Sequence, residues 1–154
     1  MELGGFERHD IEDVLNGGGV VALTISGVSM YPMLKNRRDC VVIGKYVGGA
    51  SKYDVLLYRD PRKRLVLHRL IKNEKTNGCF VIRGDNCVSK EYIPEENVIG
   101  ILSEFTRKEK NFTVNDKGYK LYSRLIVLFH PAILLKYKVK GLLSRIKRMV
   151  LRVK

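Results

Sequence analysis

Apolar residues along this chain keep one rhythm up to about residue 116 and another beyond it. In residues 6–16, Phe6, Ile11, Val14 and Leu15 stand among acidic neighbours, which predicts a short helix. Asn16-Gly17-Gly18-Gly19 stops it. From there the apolar residues come in short, β-rich runs. Residues 20–25, 40–43, 54–59, 65–71, 79–83 and 98–105 each read as a strand. Gly48-Gly49, Asp60-Pro61 and Asn77-Gly78 punctuate them as turns, and Gly84-Asp85-Asn86 reads as a loop. Five or six short strands with closely spaced turns predict a mainly β domain, barrel-like or sandwich-like.

The last part has a helical period. Leu135, Val139, Leu142, Ile146, Met149 or Val150, and Val153 recur at spacings of three and four, and most Lys and Arg fall elsewhere. This pattern predicts a basic amphipathic helix. It divides the chain into a body, 1–116, and a helical tail, 117–154.

Charge follows the same division. The 154 residues carry a net charge of +13, yet all 16 acidic residues precede Lys117, whereas 11 of the 29 Lys and Arg follow Asp116. The body is therefore nearly neutral and the tail strongly cationic. Periodicity fits either a helix packed on the body with its cations in water or a helix attached to an anionic membrane surface. The absence of acids favours the membrane surface, because a packed helix ordinarily mixes signs for i,i+4 pairing. Nucleic acid is the less favoured polyanion.

Composition narrows the compartment and the chemistry. A hydrophobic fraction of 45% suits a globular core. The first ten residues lack the cationic start and apolar centre of a secretory signal. No stretch reaches the ~20 apolar residues that span a bilayer. The longest candidate, residues 125–135, contains His130 and Pro131. A cytoplasmic location is expected, with peripheral attachment to the inner membrane face as an option. Cys40, Cys79 and Cys87 are odd in number and form no CxxC pair, so neither a disulfide framework nor a zinc site is indicated. No cofactor is expected.

A serine hydroxyl is a poor nucleophile near neutral pH and needs a nearby base and backbone donors for the oxyanion. Ser26-Gly27-Val28-Ser29-Met30-Tyr31-Pro32-Met33-Leu34 closely resembles the nucleophile box of type I signal peptidases and LexA-like serine peptidases. In that box a glycine, any residue, Ser-Met, any residue and a proline lead to a leucine. Four further strings follow in family order. Arg38-Asp39 precedes a Val-rich strand where the family has Gly-Asp, and Tyr53-Asp54-Val55 stands where it has Gly-Asp-Val. His68-Arg69-Leu70-Ile71 is similar to the branch with a histidine base in place of lysine. Gly84-Asp85-Asn86 then precedes Val98-Ile99-Gly100.

The resemblance, covering residues 23–105, implies a signal-peptidase-like β-domain with Ser29 as nucleophile and His68 as general base. Histidine, with an ordinary pKa of about 6.5, needs no large shift for that work. The carboxylate orienting the imidazole is either Asp85, favoured by the Gly-Asp-Asn string, or Glu91 beyond it. The implied oxyanion donors are the Ser29 backbone N–H and one nearby hydroxyl or amide, with Ser26 offering a hydroxyl.

The function implied is an endopeptidase that removes a leader or signal-type segment from a polypeptide through an acyl-enzyme. Membrane signal peptidases carry an anchor before the nucleophile box, whereas Ser29 here follows only 28 residues. A soluble or surface-bound processing peptidase is the better fit. The alternatives are a LexA-like self-cleaving regulator without a DNA-binding domain, and a catalytically dead basic binding module.

Overall fold

A computed structural model describes residues 8–74, 78–132, 134, 135, 137, 139, 143 and 148. Phe6, Asn77, Leu142, Ile146, Met149, Val150 and Val153, which figure in the expectations above, lie outside the described residues.

The domain is mainly β. Helix α1 (Arg8–Asn16) leads to β1 (Val20–Thr24), β2 (Cys40–Lys45), β3 (Val55–Arg59), β4 (Leu65–Glu74) and β5 (Cys79–Arg83). Then come β6 (Glu91–Pro94), a single 3₁₀ turn (Glu95–Asn97), β7 (Val98–Arg107), β8 (Lys110–Thr113) and α2 (Lys117–Leu128). The strands form one antiparallel sheet in the order β1-β2-β7-β3-β4-β5-β6, with β8 pairing β7. The ten-residue β7 is its hub: β2 lies along one edge, and β3 and β8 share the other.

The six strands expected from the apolar runs are present. The other two, β6 and β8, are four-residue edge strands, Glu-Tyr-Ile-Pro and Lys-Asn-Phe-Thr, and each sends one apolar side chain to a core, Ile93 to the second and Phe112 to the first. An edge strand this short presents too few core-facing positions to alternate, and its ladder is satisfied on one side. Neither therefore leaves a periodic signal.

Both faces of the sheet centre are covered. Alternation along β3 sends Val55 and Leu57 into one core, and Leu56 and Tyr58 into the other. In β4, Leu65 and Leu67 join the first core, and Leu70 the second. Ile11 and Leu15 of α1 seal the first core, and the helix ends where Gly18 adopts φ +81°, open to a residue without a Cβ. Tyr119 of α2 is buried in that same core and Ser123 is buried beside it. Phe129 caps α2 just before Pro131, and the described residues from His130 onward are again helical.

Candidate active site

Ser29 sits in the loop between β1 and β2. Its neighbours Met30, Met33 and Leu34 are buried in the first core, so the loop is held down by its own apolar residues and leaves Ser29 half-buried. Asp39 closes the loop from below. Its carboxylate accepts from the Lys35 N–H (2.8 Å) and from the Arg38 guanidinium (2.6 and 2.8 Å), and its carbonyl accepts from the Ile25 N–H at 2.9 Å. Burial opposes the Asp39 charge, but these donors outweigh it and hold the carboxyl below its ordinary value. Arg38 thus serves as partner to the aspartate. Tyr53 has φ +87°, a conformation that favours glycine. It is kept there because its N–H donates to the Leu70 carbonyl at 2.8 Å and its carbonyl accepts from Arg69 at 2.9 Å.

His68 is buried on β4, opposite Leu56 in the β3–β4 ladder. Its Nδ1 lies 3.1 Å from Glu91 Oε1 and 3.2 Å from the Tyr58 hydroxyl, which itself donates to Glu91 Oε2 at 2.7 Å. Register explains this convergence. Tyr58 pairs with Val66 and so sits diagonally from His68 on the same face. Glu91, the first residue of β6, pairs with Ile82 of the second core and extends the row. With Nδ1–H donating to the carboxylate, Nε2 carries the free lone pair. Burial pushes the imidazole below its ordinary value of 6.5, and Glu91 pulls against it without cancelling the effect. Burial and the bond to Glu91 push the Tyr58 hydroxyl well up, which keeps it a donor.

Asp85 is placed elsewhere, contrary to the preference for it as the orienting carboxylate. Its oxygens accept from Arg69 Nε (2.7 Å) and Nη2 (2.8 Å), and from the Tyr122 hydroxyl (3.0 Å). The reason is the pleat: His68 and Arg69 are consecutive, so their side chains leave β4 on opposite faces. A carboxylate forked onto Arg69 serves the other side of the strand. Arg69 is wholly buried and also donates to the Tyr119 hydroxyl (3.3 Å), Ser123 Oγ (3.0 Å) and Met33 Sδ (3.1 Å). Burial opposes its charge, but the fork from Asp85 more than restores it, so its pKa is raised. This ionic hub ties β4 to the Ser29 loop and to α2.

The Gly84-Asp85-Asn86 string brings the two sides together. A Cβ on Gly84 would stand 2.7 Å from the Ser29 carbonyl oxygen, 2.8 Å from Cys87 Sγ and 3.0 Å from His68 Cδ2. Only a residue without a side chain fits between the serine loop and the imidazole. Asn86 then binds the loop directly, its N–H donating to the Ser29 carbonyl (2.7 Å) and its Nδ2 to the Val28 carbonyl (3.2 Å).

Ser29 and His68 face a common open cleft of about 500 Å³, whose walls include Ser26, Gly27, Asn86 and Glu91. Sequence reasoning missed Asp60, Arg64 and Tyr137, which line the cleft, and Tyr58, which is buried and bonds Glu91 and the imidazole. Arg64 belongs to the cluster Arg62-Lys63-Arg64 and forks onto Asp60 at 2.6 and 2.8 Å. Asp60-Pro61 had signalled only a turn. Tyr137, from the tail, donates to the Asn86 carbonyl at 3.1 Å and lines the cleft. His130 is buried with Nε2 3.0 Å from the Cys87 carbonyl oxygen. Cys87 also lines the cleft, but burial pushes its thiol up, away from the thiolate a cysteine nucleophile requires. Among the described residues no three His, Cys, Asp or Glu side chains are arranged to hold a metal ion.

Comparison with protein-family models gives no match to this chain, and comparison with curated proteins gives none.

Proposed function

We propose that the protein is a serine endopeptidase of the signal-peptidase/LexA type, acting on a leader or signal-type segment of a polypeptide. The observation that carries the reading is the Glu91–His68 contact at Nδ1, beside a cleft that Ser29 shares. It supplies what a hydroxyl nucleophile lacks: a neutral imidazole held in one tautomer with Nε2 unprotonated.

On this reading Ser29 Oγ attacks the scissile carbonyl carbon while His68 Nε2 takes its proton. The oxyanion is met by the Ser29 backbone N–H, and Ser26, which lines the same cleft, is the candidate hydroxyl donor. The C–N bond breaks as His68 returns the proton to the leaving amine, leaving an acyl ester on Ser29. A water, deprotonated by the same imidazole, then releases the acid and frees the serine. Glu91 stabilises the transient imidazolium, and Tyr58 fixes the carboxylate. Asp85 acts at one remove, because its grip on Arg69 holds Gly84 and Asn86 against the serine loop.

Treatment with a fluorophosphonate, followed by mass spectrometry, tests the reading. The expected result is one adduct on Ser29, lost in Ser29→Ala and reduced by roughly 10³-fold or more in rate in His68→Ala. Labelling that is absent from the wild type, or retained in His68→Ala, would overturn it.

A further inference from the structure

The described helical residues after Asp116 present two opposite sides. On one, Tyr119, Ser123 and His130 are buried, and Tyr122 reaches Asp85. Tyr137 continues that face to the Asn86 carbonyl. On the other, Leu121, Leu125, Leu128, Leu135, Val139 and Leu143 recur at spacings of three, four and seven, all 40% exposed or more, with Phe129 beside them. A packed amphipathic helix shows the reverse, apolar residues inward and polar residues outward. Here the domain is gripped through tyrosine rings and their hydroxyls, a serine and an imidazole, and the leucines of the stripe are left in water.

We infer that this exposed stripe docks the protein on an anionic phospholipid bilayer, with the leucines entering the acyl boundary and the flanking cations meeting the headgroups. Charge selects the occupant. Lys117, Lys120 and Arg124 are exposed beside the stripe, and no acidic residue occurs from Lys117 to Lys154. A second copy would bring an equally cationic segment against this one, with no carboxylate to pair. A nucleic acid would neutralise the cations but leave the leucines unburied, whereas an anionic bilayer satisfies both.

Docking has a consequence for the cleft. The helix is keyed to the segment after β5 through Tyr122 on Asp85, His130 on the Cys87 carbonyl and Tyr137 on the Asn86 carbonyl. Tyr137 lines the cleft, and Leu135 and Val139 of the stripe lie two residues to either side of it. A helix seated on the bilayer therefore carries the cleft on its far side, one helix width (~10 Å) from the membrane surface, within reach of a polypeptide that emerges from the membrane. Access of such a polypeptide rests on the peptidase reading; the docking does not.

Co-sedimentation of the full chain with vesicles separates the two. Vesicles of phosphatidylglycerol and phosphatidylcholine should bind the wild type at low salt, and pure phosphatidylcholine should bind it on the order of tenfold more weakly. The variant Leu121→Glu/Leu125→Glu/Leu128→Glu replaces only exposed side chains, and circular dichroism checks that it stays folded. Its affinity for the anionic vesicles should fall by more than about tenfold. Ser29→Ala should bind as the wild type does, so failed labelling at Ser29 would leave the docking intact. Vesicle binding unchanged in the triple glutamate variant would overturn the inference. So would absent wild-type binding, a wild-type dimer dispersed by that variant, or retention of DNA in preference to anionic vesicles.

Discussion

His68 and Arg69 are adjacent in the chain, yet their surroundings differ in kind. On the His68 face the carboxylate partner, Glu91, has a side chain 40% exposed, and the imidazole borders an open cleft. On the Arg69 face the guanidinium and the Asp85 carboxylate are sealed, at 0% and 2% exposure, beneath Tyr119, Tyr122 and Ser123. One face sets a titratable imidazole, its pKa lowered by burial, at the edge of an open cleft. The other buries a fixed ion pair that cannot easily change its charge. One strand can thus carry a titratable group and a rigid ionic hub side by side, because the pleat separates them. On the proposed function the first would transfer the proton and the second would hold the serine loop. A buried pair of this kind contributes little net stability by itself, but it is costly to leave half-broken.

The sharpest way to break this comparison is to neutralise each carboxylate in turn. Glu91→Gln should lower kcat/KM on a cleaved peptide by about 10²–10⁴-fold with little change in unfolding free energy. Asp85→Asn should do the opposite, costing about 3–5 kcal/mol in denaturant unfolding because Arg69 is left buried with a neutral partner. Its turnover under folded conditions should fall much less than that of Glu91→Gln. If the folded Asp85→Asn protein lost more turnover than Glu91→Gln, the roles assigned to the two faces would be exchanged.

Gly84→Ala probes the seam between the faces. The new methyl meets backbone at the Ser29 carbonyl and the edge of the His68 ring, so the serine loop must shift. A fall of about 10–100-fold in kcat and a loss of about 1–3 kcal/mol are expected. Wild-type activity together with wild-type stability would show that the close approach is not needed.

A smaller effect is expected with pH. Because burial lowers the folded-state pKa of His68, the acid limb of kcat/KM should have its midpoint below 6.5. Glu91 raises that pKa, so Glu91→Gln should move the limb further toward acid. Stability has its own sign: as pH falls through about 6.5 the unfolded chain takes up a proton that the folded His68 resists. The contribution of His68 is therefore fully present above that pH and declines below it. An acid limb midpoint above 6.5 would contradict the buried setting of the imidazole.

Much of the architecture was legible in residue order, because apolar periodicity and turn residues are local. The first helix, the six apolar strands and a helical tail follow from such signals. The order of the short strings Ser29-Met30, His68-Arg69 and Gly84-Asp85-Asn86 likewise suggested which residues to bring together. What stayed illegible depended on partners distant in the chain. β6 and β8 carry too few apolar residues to announce themselves, and without β6 there was no reason to set Glu91 in the row of His68.

The choice between Asp85 and Glu91 shows where the boundary lies. Residue order supplied both carboxylates and the histidine, since their chemistry is intrinsic to the side chains. It also placed a cationic, leucine-bearing helix at the end of the chain. Strand pairing decided the rest. The pleat sends His68 and Arg69 to opposite faces, the β5–β6 register carries Glu91 to the imidazole, and the Arg69 hub draws Asp85 and α2 to the other side. Face and register are relations between strands, and they exist only once the sheet has formed.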